Sequence, residues 1–111
     1  GPYSAAVEAG GLIFISGQLP IDPATGEIIP EIRPAARQVL VNLQTLLEEN
    51  GLALANIVKT TIFLKSMADF AAVNDIYAEY FPSQPPARST VEAASLPRGV
   101  LLEIEAVAVR R

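Results

Sequence analysis

The chain is 111 residues long, half of them apolar and 18% charged, with twelve acids against eight bases and a net charge of −4. That balance provides a sizeable core and argues against disorder. The longest apolar runs fall far short of the roughly 20 residues a membrane-spanning helix needs, and the absence of His, Cys and Trp excludes a Ser-His-Asp triad, a thiolate nucleophile, a disulfide framework and any zinc site built on nitrogen or sulfur.

Gly10-Gly11 separates a short extended segment at 4–8 from the apolar run 12–16, the pattern of a β-hairpin. Residues 18–34 hold Pro20, Pro23, Gly26 and Pro30 and read mostly as loop, with turn chemistry in Asp22-Pro23-Ala24-Thr25-Gly26. A helix is predicted over 34–50: Pro34 suits its first position and Asn50-Gly51 its end. Ala36, Val39, Leu40, Leu43, Leu46 and Leu47 form its apolar face. Residues 57–65 alternate as a strand, with Val58, Thr60, Ile62 and Leu64 on one side and Ile57, Lys59, Thr61, Phe63 and Lys65 on the other. Asp69 is the expected N-cap of a second helix whose apolar face is Phe70, Val73, Ile76, Tyr77, Tyr80 and Phe81, and Pro82 ends it. Strands are predicted at 89–94 and 101–109, joined through the turn Leu96-Pro97-Arg98-Gly99.

No repeat or composition break interrupts the chain, so residues 1–111 are expected to form one domain of the α+β class, a mixed sheet with two helices on one face. Several strands are apolar on both sides. The uncovered side needs a partner, and the economical candidate is another copy of the chain. Lys and Arg are scattered, which argues against nucleic acid as a partner. No basic stretch followed by an apolar run opens the chain, so the expected location is cytoplasmic, with no membrane association.

Chemistry must therefore come from Arg, carboxylates, hydroxyls, backbone groups and water. Glu103 and Glu105 sit two apart on an apolar strand and share a face. Periodicity favours two solvent-facing carboxylates, or pairs with Lys59, Lys65 or Arg110; the sharper reading is a carboxylate in a cleft that orients water or moves a proton. Arg88 follows Pro85-Pro86-Ala87, so the chain before it is stiff, and its planar guanidinium suits bidentate capture of a carboxylate, although a surface or salt-bridged arginine is the commoner fate. Ser16-Gly17-Gln18 ends a strand, where Gly permits close approach of backbone to a ligand; alone it is equally an ordinary turn. Tyr3 offers a phenol near the terminus, Asn74 an amide on the second helix, and Thr90 a hydroxyl with no base beside it.

In order and spacing, Gly1-Pro2-Tyr3, Ile15-Ser16-Gly17-Gln18-Leu19-Pro20, Thr25-Gly26-Glu27, Asn42-Leu43, Val58-Lys59-Thr60-Thr61, Asp69-Phe70, Val73-Asn74, Pro86-Ala87-Arg88-Ser89-Thr90 and Glu103-Ile104-Glu105-Ala106-Val107-Ala108 resemble the RidA (YjgF-type) family of reactive-intermediate deaminases. The resemblance spans essentially the whole chain. It implies a chorismate-mutase-like α+β fold assembled as a homotrimer with clefts between subunits. It also implies hydrolysis of 2-imino acids or their enamine tautomers, such as 2-iminobutanoate and 2-iminopropanoate, to 2-oxo acids and ammonia, with no metal or organic cofactor. By the same resemblance Arg88 binds the substrate carboxylate and Glu103 orients the attacking water. Tyr3, Ser16, Gly17, Asn74 and Thr90 line the cleft, Thr90 largely through its backbone where many relatives carry cysteine. Family members carry a short segment before the Gly-Pro-Tyr match, and branches that lack the arginine are not known to share the activity.

Imine hydrolysis agrees with the inventory. The iminium carbon is already electrophilic, so water needs orientation and limited proton transfer rather than a strong nucleophile. A non-catalytic sensor of small carboxylates would use the same arginine and cleft, and Glu103 tilts the balance toward catalysis. A ribonuclease or translation inhibitor would want clustered basic residues, and a purely structural trimer would leave Arg88 and Glu103 without a task.

Overall fold

The computed structural model describes residues 1–111. In chain order the elements are strands β1 (Ala6–Ala9) and β2 (Leu12–Gln18), helix α1 (Ile32–Glu49), strand β3 (Ile57–Leu64), helix α2 (Phe70–Tyr80), and strands β4 (Ala87–Glu92) and β5 (Leu102–Val109). They build a five-stranded sheet in the order β1-β2-β5-β3-β4. Every pairing is antiparallel except β3 with β4, whose parallel alignment follows from the α2 crossover between them. The fold is thus the expected mixed α+β arrangement, and no helix is long and apolar enough to cross a membrane.

Both helices pack on one side of the sheet. Ala35, Ala36, Val39, Leu40, Leu43 and Leu47 of α1 and Val73, Ile76 and Tyr77 of α2 meet Ile13, Ile15, Ile62, Leu64, Leu102, Ile104, Ala106 and Ala108 in one buried cluster. Full burial of each large aliphatic side chain there is worth about 1.5–3 kcal/mol against exposure. Helix α1 stops as its sequence suggests: Gly51 has φ +73, its N–H reaches the carbonyl of Glu48, and that of Leu52 reaches Leu47. These two bonds satisfy carbonyls that the helix end would otherwise leave unpaired.

Several expectations shift. Helix α1 begins at Ile32, so Pro34 lies inside the first turn, where the missing N–H is harmless. Asp69 precedes α2, but its carboxylate makes no cap; Ser66 instead caps a short 3-10 turn at Met67–Asp69 through the N–H of Ala68. Strand β4 starts at Ala87 rather than 89, because the parallel ladder with β3 already engages Ala87 opposite Lys59. In β3 the register against β5 slips between Ile57 and Lys59. Val58 is the extra residue of this bulge and is exposed while Ile57 is buried. Strict alternation therefore sets Ile57 and Val58 on the wrong sides and is correct from Lys59 onward.

The other side of the sheet is bare and largely apolar. Val7, Phe14 and Val107 lie side by side across β1, β2 and β5, while Phe63 and Val91 continue the face on β3 and β4. Val7, Phe14 and Val91 are among the exposed large hydrophobic residues. Glu103 and Glu105 also lie on this face, opposite Phe63 and Thr61 of β3.

Candidate active site

Arg88 pairs with Thr60 across the β3–β4 ladder, so it projects on the helix side, as Thr60 does. A cavity of about 430 Å³ opens around it, walled by Asn74, Tyr77, Ala78, Phe81, Pro85 and Pro86. The guanidinium carbon stands 4.9 Å from the centre of the Tyr77 ring and 5.7 Å from that of Phe70. Three of the other arginines hold carboxylates, Arg33 with Asp75, Arg37 with Glu79 and Arg110 with Glu8. Arg88 has no such partner, and its N–H groups remain free to receive an anion.

Beneath it, Tyr77 and Thr60 share a buried hydrogen bond of 2.7 Å between hydroxyls. Burial pushes the Tyr77 phenol above its ordinary range, against the opposing pull of the Thr60 hydrogen bond and the Arg88 charge. Asn74 lies one turn before Tyr77 and faces the same cavity. Thr90 is two residues past Arg88 on the same side of β4. Its hydroxyl is buried without a partner, and it lines neither this cavity nor the one around Glu103.

Glu103 belongs to a different hollow. Tyr3, Ser16, Gly17, Leu19, Pro97 and Glu103 enclose about 390 Å³ at the end of β2. The register of β2 against β5 slips between Ile15 and Gln18, so the Ser16-Gly17 step carries a bulge. Ser16 uses it to tie down the N-terminal segment: its hydroxyl donates to the carbonyl of Ser4 (2.6 Å) and its N–H to that of Ala5 (3.0 Å). This holds Tyr3 beside the hollow. Gly17 has no unusual φ; what its missing side chain provides is room for Glu103 as that side chain now stands. A β-carbon on it would stand 2.6 Å from the carboxyl carbon of Glu103 and 2.8 Å from its Cγ, closer than atoms can sit.

The carboxyl of Glu103 is in no ion pair, and Arg110, one of its expected partners, pairs with Glu8 instead. Burial pushes its pKa above the usual carboxylate range, and the neighbouring charge of Glu105 raises it further. The position is half-buried and electrostatically unrelieved, which is unusual for a merely solvated side chain.

The two groups singled out for chemistry are not brought together within one chain. Arg88 with Asn74 lies on the helix side of the sheet; Glu103 with Tyr3, Ser16 and Gly17 lies around its other face and edge. Sequence reasoning missed the aromatic floor. Tyr77 and Phe70 read as residues of an apolar stripe, and only the unmet need of a buried phenol for a partner, with Thr60 on the buried side of β3, pointed further. It quoted Asn42 as part of a motif but gave it no task; the amide donates to the carbonyls of Leu19 and Ile21 and so pins the loop after Gly17 to α1.

A small two-layer α+β chain with one bare sheet face, two separate hollows and no cluster of three metal-ligating side chains is the kind of protein defined here. The family model described as Endoribonuclease L-PSP matches residues 1–110, and the chain belongs to that family, the RidA (YjgF-type) family its motifs resemble. It is 51% identical over 111 residues to a RutC family protein of Pyrococcus horikoshii, covering 99% of this chain and 88% of that one. It is 47% identical over 114 residues to the 2-iminobutanoate/2-iminopropanoate deaminase of Escherichia coli, covering 100% and 89%. The crystal structure of the YjgF gene product of E. coli superposes with a TM-score of 0.95 at 47% identity, over 100% of this chain and 90% of that one.

Proposed function

We propose that the protein hydrolyses small 2-imino acids, 2-iminobutanoate and 2-iminopropanoate among them, to 2-oxo acids and ammonia. It would do so in the cytoplasm as a guard against reactive metabolites, in clefts between the subunits of a homotrimer. The observation that carries this reading is Arg88: a guanidinium in an open cavity, seated on aromatic rings and free of any carboxylate. Such a group is arranged to receive a carboxylate. The deaminase name of a relative 47% identical over this whole chain supports it.

This reading calls for a second copy. Arg88 and Glu103 face opposite sides of one sheet, and a three- or four-carbon substrate cannot reach both. Apposing the bare face of one copy to the edge of another would bury Val7, Phe14 and Val107 and set the Glu103 hollow of one subunit against the Arg88 cavity of the next. Arg88 would fix the carboxylate with Asn74 alongside. Glu103 would hold a water against the C=N carbon and take its proton as the C–O bond forms, sending the C=N electron pair to nitrogen. With the imine protonated at the outset, this gives a neutral carbinolamine; Glu103 returns its proton to the amine, and as the C–N bond breaks it takes the hydroxyl proton, so that ammonia leaves and the ketone remains. Nothing is oxidised or reduced, and water is the only co-reactant.

The ribonuclease reading in the family's description fits this chain less well. Its net charge is −4, and three arginines are held by acids, which leaves no basic stripe for phosphates. Hydrolysis of freshly generated 2-iminobutanoate, followed against semicarbazide capture, tests the proposal. The wild type should accelerate it, and Arg88→Ala should lose about a hundredfold in kcat/KM while remaining folded and oligomeric. An assembled wild type without acceleration would remove the deaminase reading and leave a carboxylate sensor.

A further inference from the structure

We infer that Tyr77, flanked by Phe70, is the positioning residue of Arg88: its ring is a fixed floor that orders the guanidinium for carboxylate capture. This rests on the reading of Arg88 as the carboxylate anchor, and it adds a role that the apolar pattern of α2 hides.

A long side chain with an unpaired charge has many rotamers, and ordering it on binding would weaken capture. A carboxylate neighbour would order Arg88 but would also occupy the donors the substrate needs. An aromatic face attracts the cation and consumes no donor. Arg88 has that arrangement, with its guanidinium carbon 4.9 Å over Tyr77 and 5.7 Å over Phe70, whereas Arg33, Arg37 and Arg110 are held by acids. Phe70, Asn74 and Tyr77 recur at four- and three-residue spacing, so α2 turns one stripe toward Arg88.

The floor is itself held. The Tyr77 hydroxyl bonds that of Thr60 at 2.7 Å, both residues are buried, and the ring packs 4.6 Å from that of Phe81. Thr60 is the residue of β3 that stands in register with Arg88 of β4. Cation and ring therefore hang from neighbouring points of one ladder, which fixes their separation.

A core tyrosine that merely supports the fold would behave differently from a floor. Tyr77→Phe keeps the ring face and loses the Thr60 hydrogen bond; Tyr77→Leu loses the face as well. Binding of 2-oxobutanoate, the carboxylate product of the proposed reaction, reads the anchor without requiring turnover. Both variants should melt at lower temperature than the wild type. Only Tyr77→Leu should weaken 2-oxobutanoate binding and raise KM, by about tenfold, while Tyr77→Phe stays within about twofold of the wild type. The δ-methylene protons of Arg88 should show an upfield ring-current shift in the wild type and in Tyr77→Phe that vanishes in Tyr77→Leu.

Affinity that follows melting temperature in both variants, or an unshifted Arg88 in the wild type, overturns the inference. So does a wild type that binds no 2-oxobutanoate. Should Tyr77→Leu fail to fold, Phe70→Leu, at a position 38% exposed, substitutes for it: about threefold weaker binding is expected, and unchanged binding counts against the floor. Hydrolysis lost with binding and ring shift intact would remove the deaminase reading and leave the positioning role standing. Unaltered binding and KM in Tyr77→Leu would do the reverse.

Discussion

The Arg88 half and the Glu103 half of the candidate site are built on opposite principles. Arg88 rests on side chains of the core, with Tyr77 and Thr60 buried beneath it and Phe81 behind, so its surroundings form as the chain folds. Glu103 is placed by backbone irregularity: a bulge at Ser16-Gly17, a residue without a β-carbon, and an N-terminal segment tied on by Ser16. In the proposed reaction the first half would bind a charge that is already present on the substrate, a task for a rigid, open cation. The second would act on a water, a task for a carboxylate that is partly desolvated and close to backbone. One chain supplies each half once, on different sides of its sheet, and in the proposed assembly the bare apolar face would join one copy's half to another's.

The largest way to break this pairing is to prevent assembly. Phe14→Asp places a charge amid the bare face beside Val7 and Val107. It should leave the circular dichroism of the subunit intact, yield monomers by light scattering and reduce imine hydrolysis to the uncatalysed rate, although neither half-site is touched. Next in size is Gly17→Ala. The added methyl must displace the Glu103 carboxyl, and kcat should fall by about tenfold with melting temperature and carboxylate binding little changed. That result would separate the two halves kinetically.

The smallest effect concerns acidity. In the proposed reaction Glu103 has to be ionised to accept a proton, and burial with the Glu105 charge raises its pKa. Activity should therefore be full above that raised pKa and be lost as pH falls through it. Glu105→Gln removes the repulsion, lowers the pKa and should move the acid limb of kcat/KM to lower pH, with the rate above the limb unchanged. An acid limb unmoved by this variant would assign the limb to another group.

Much of the frame was legible because it follows from periodicity. The α1 stripe from Ala36 to Leu47, the hairpin at Gly10-Gly11 and the αL stop at Gly51 are local events, each decided by a few neighbouring residues. The bulges at Val58 and at Ser16-Gly17 were not, because the extra residue is fixed by how two distant strands must register. For the same reason the pattern placed Glu103 and Glu105 on one face but gave no sign of which wall they meet. Gly17 was suspected for backbone approach to a ligand, and its tightest neighbour is the Glu103 side chain instead. Tyr77 hid most completely, since a residue on an apolar stripe reveals a polar duty only when the partner of its hydroxyl is in view.

The central claim is that a working site takes Arg88 from one subunit and Glu103 from another, and subunit mixing tests it most directly. Arg88→Ala and Glu103→Gln homo-oligomers, each inactive, are dissociated, combined in equal amounts and reassembled. Random co-assembly should rebuild about a quarter of the sites with both groups intact, and about a quarter of wild-type activity should return. Mixed oligomers verified by mass spectrometry that remain as inactive as their parents would contradict the account.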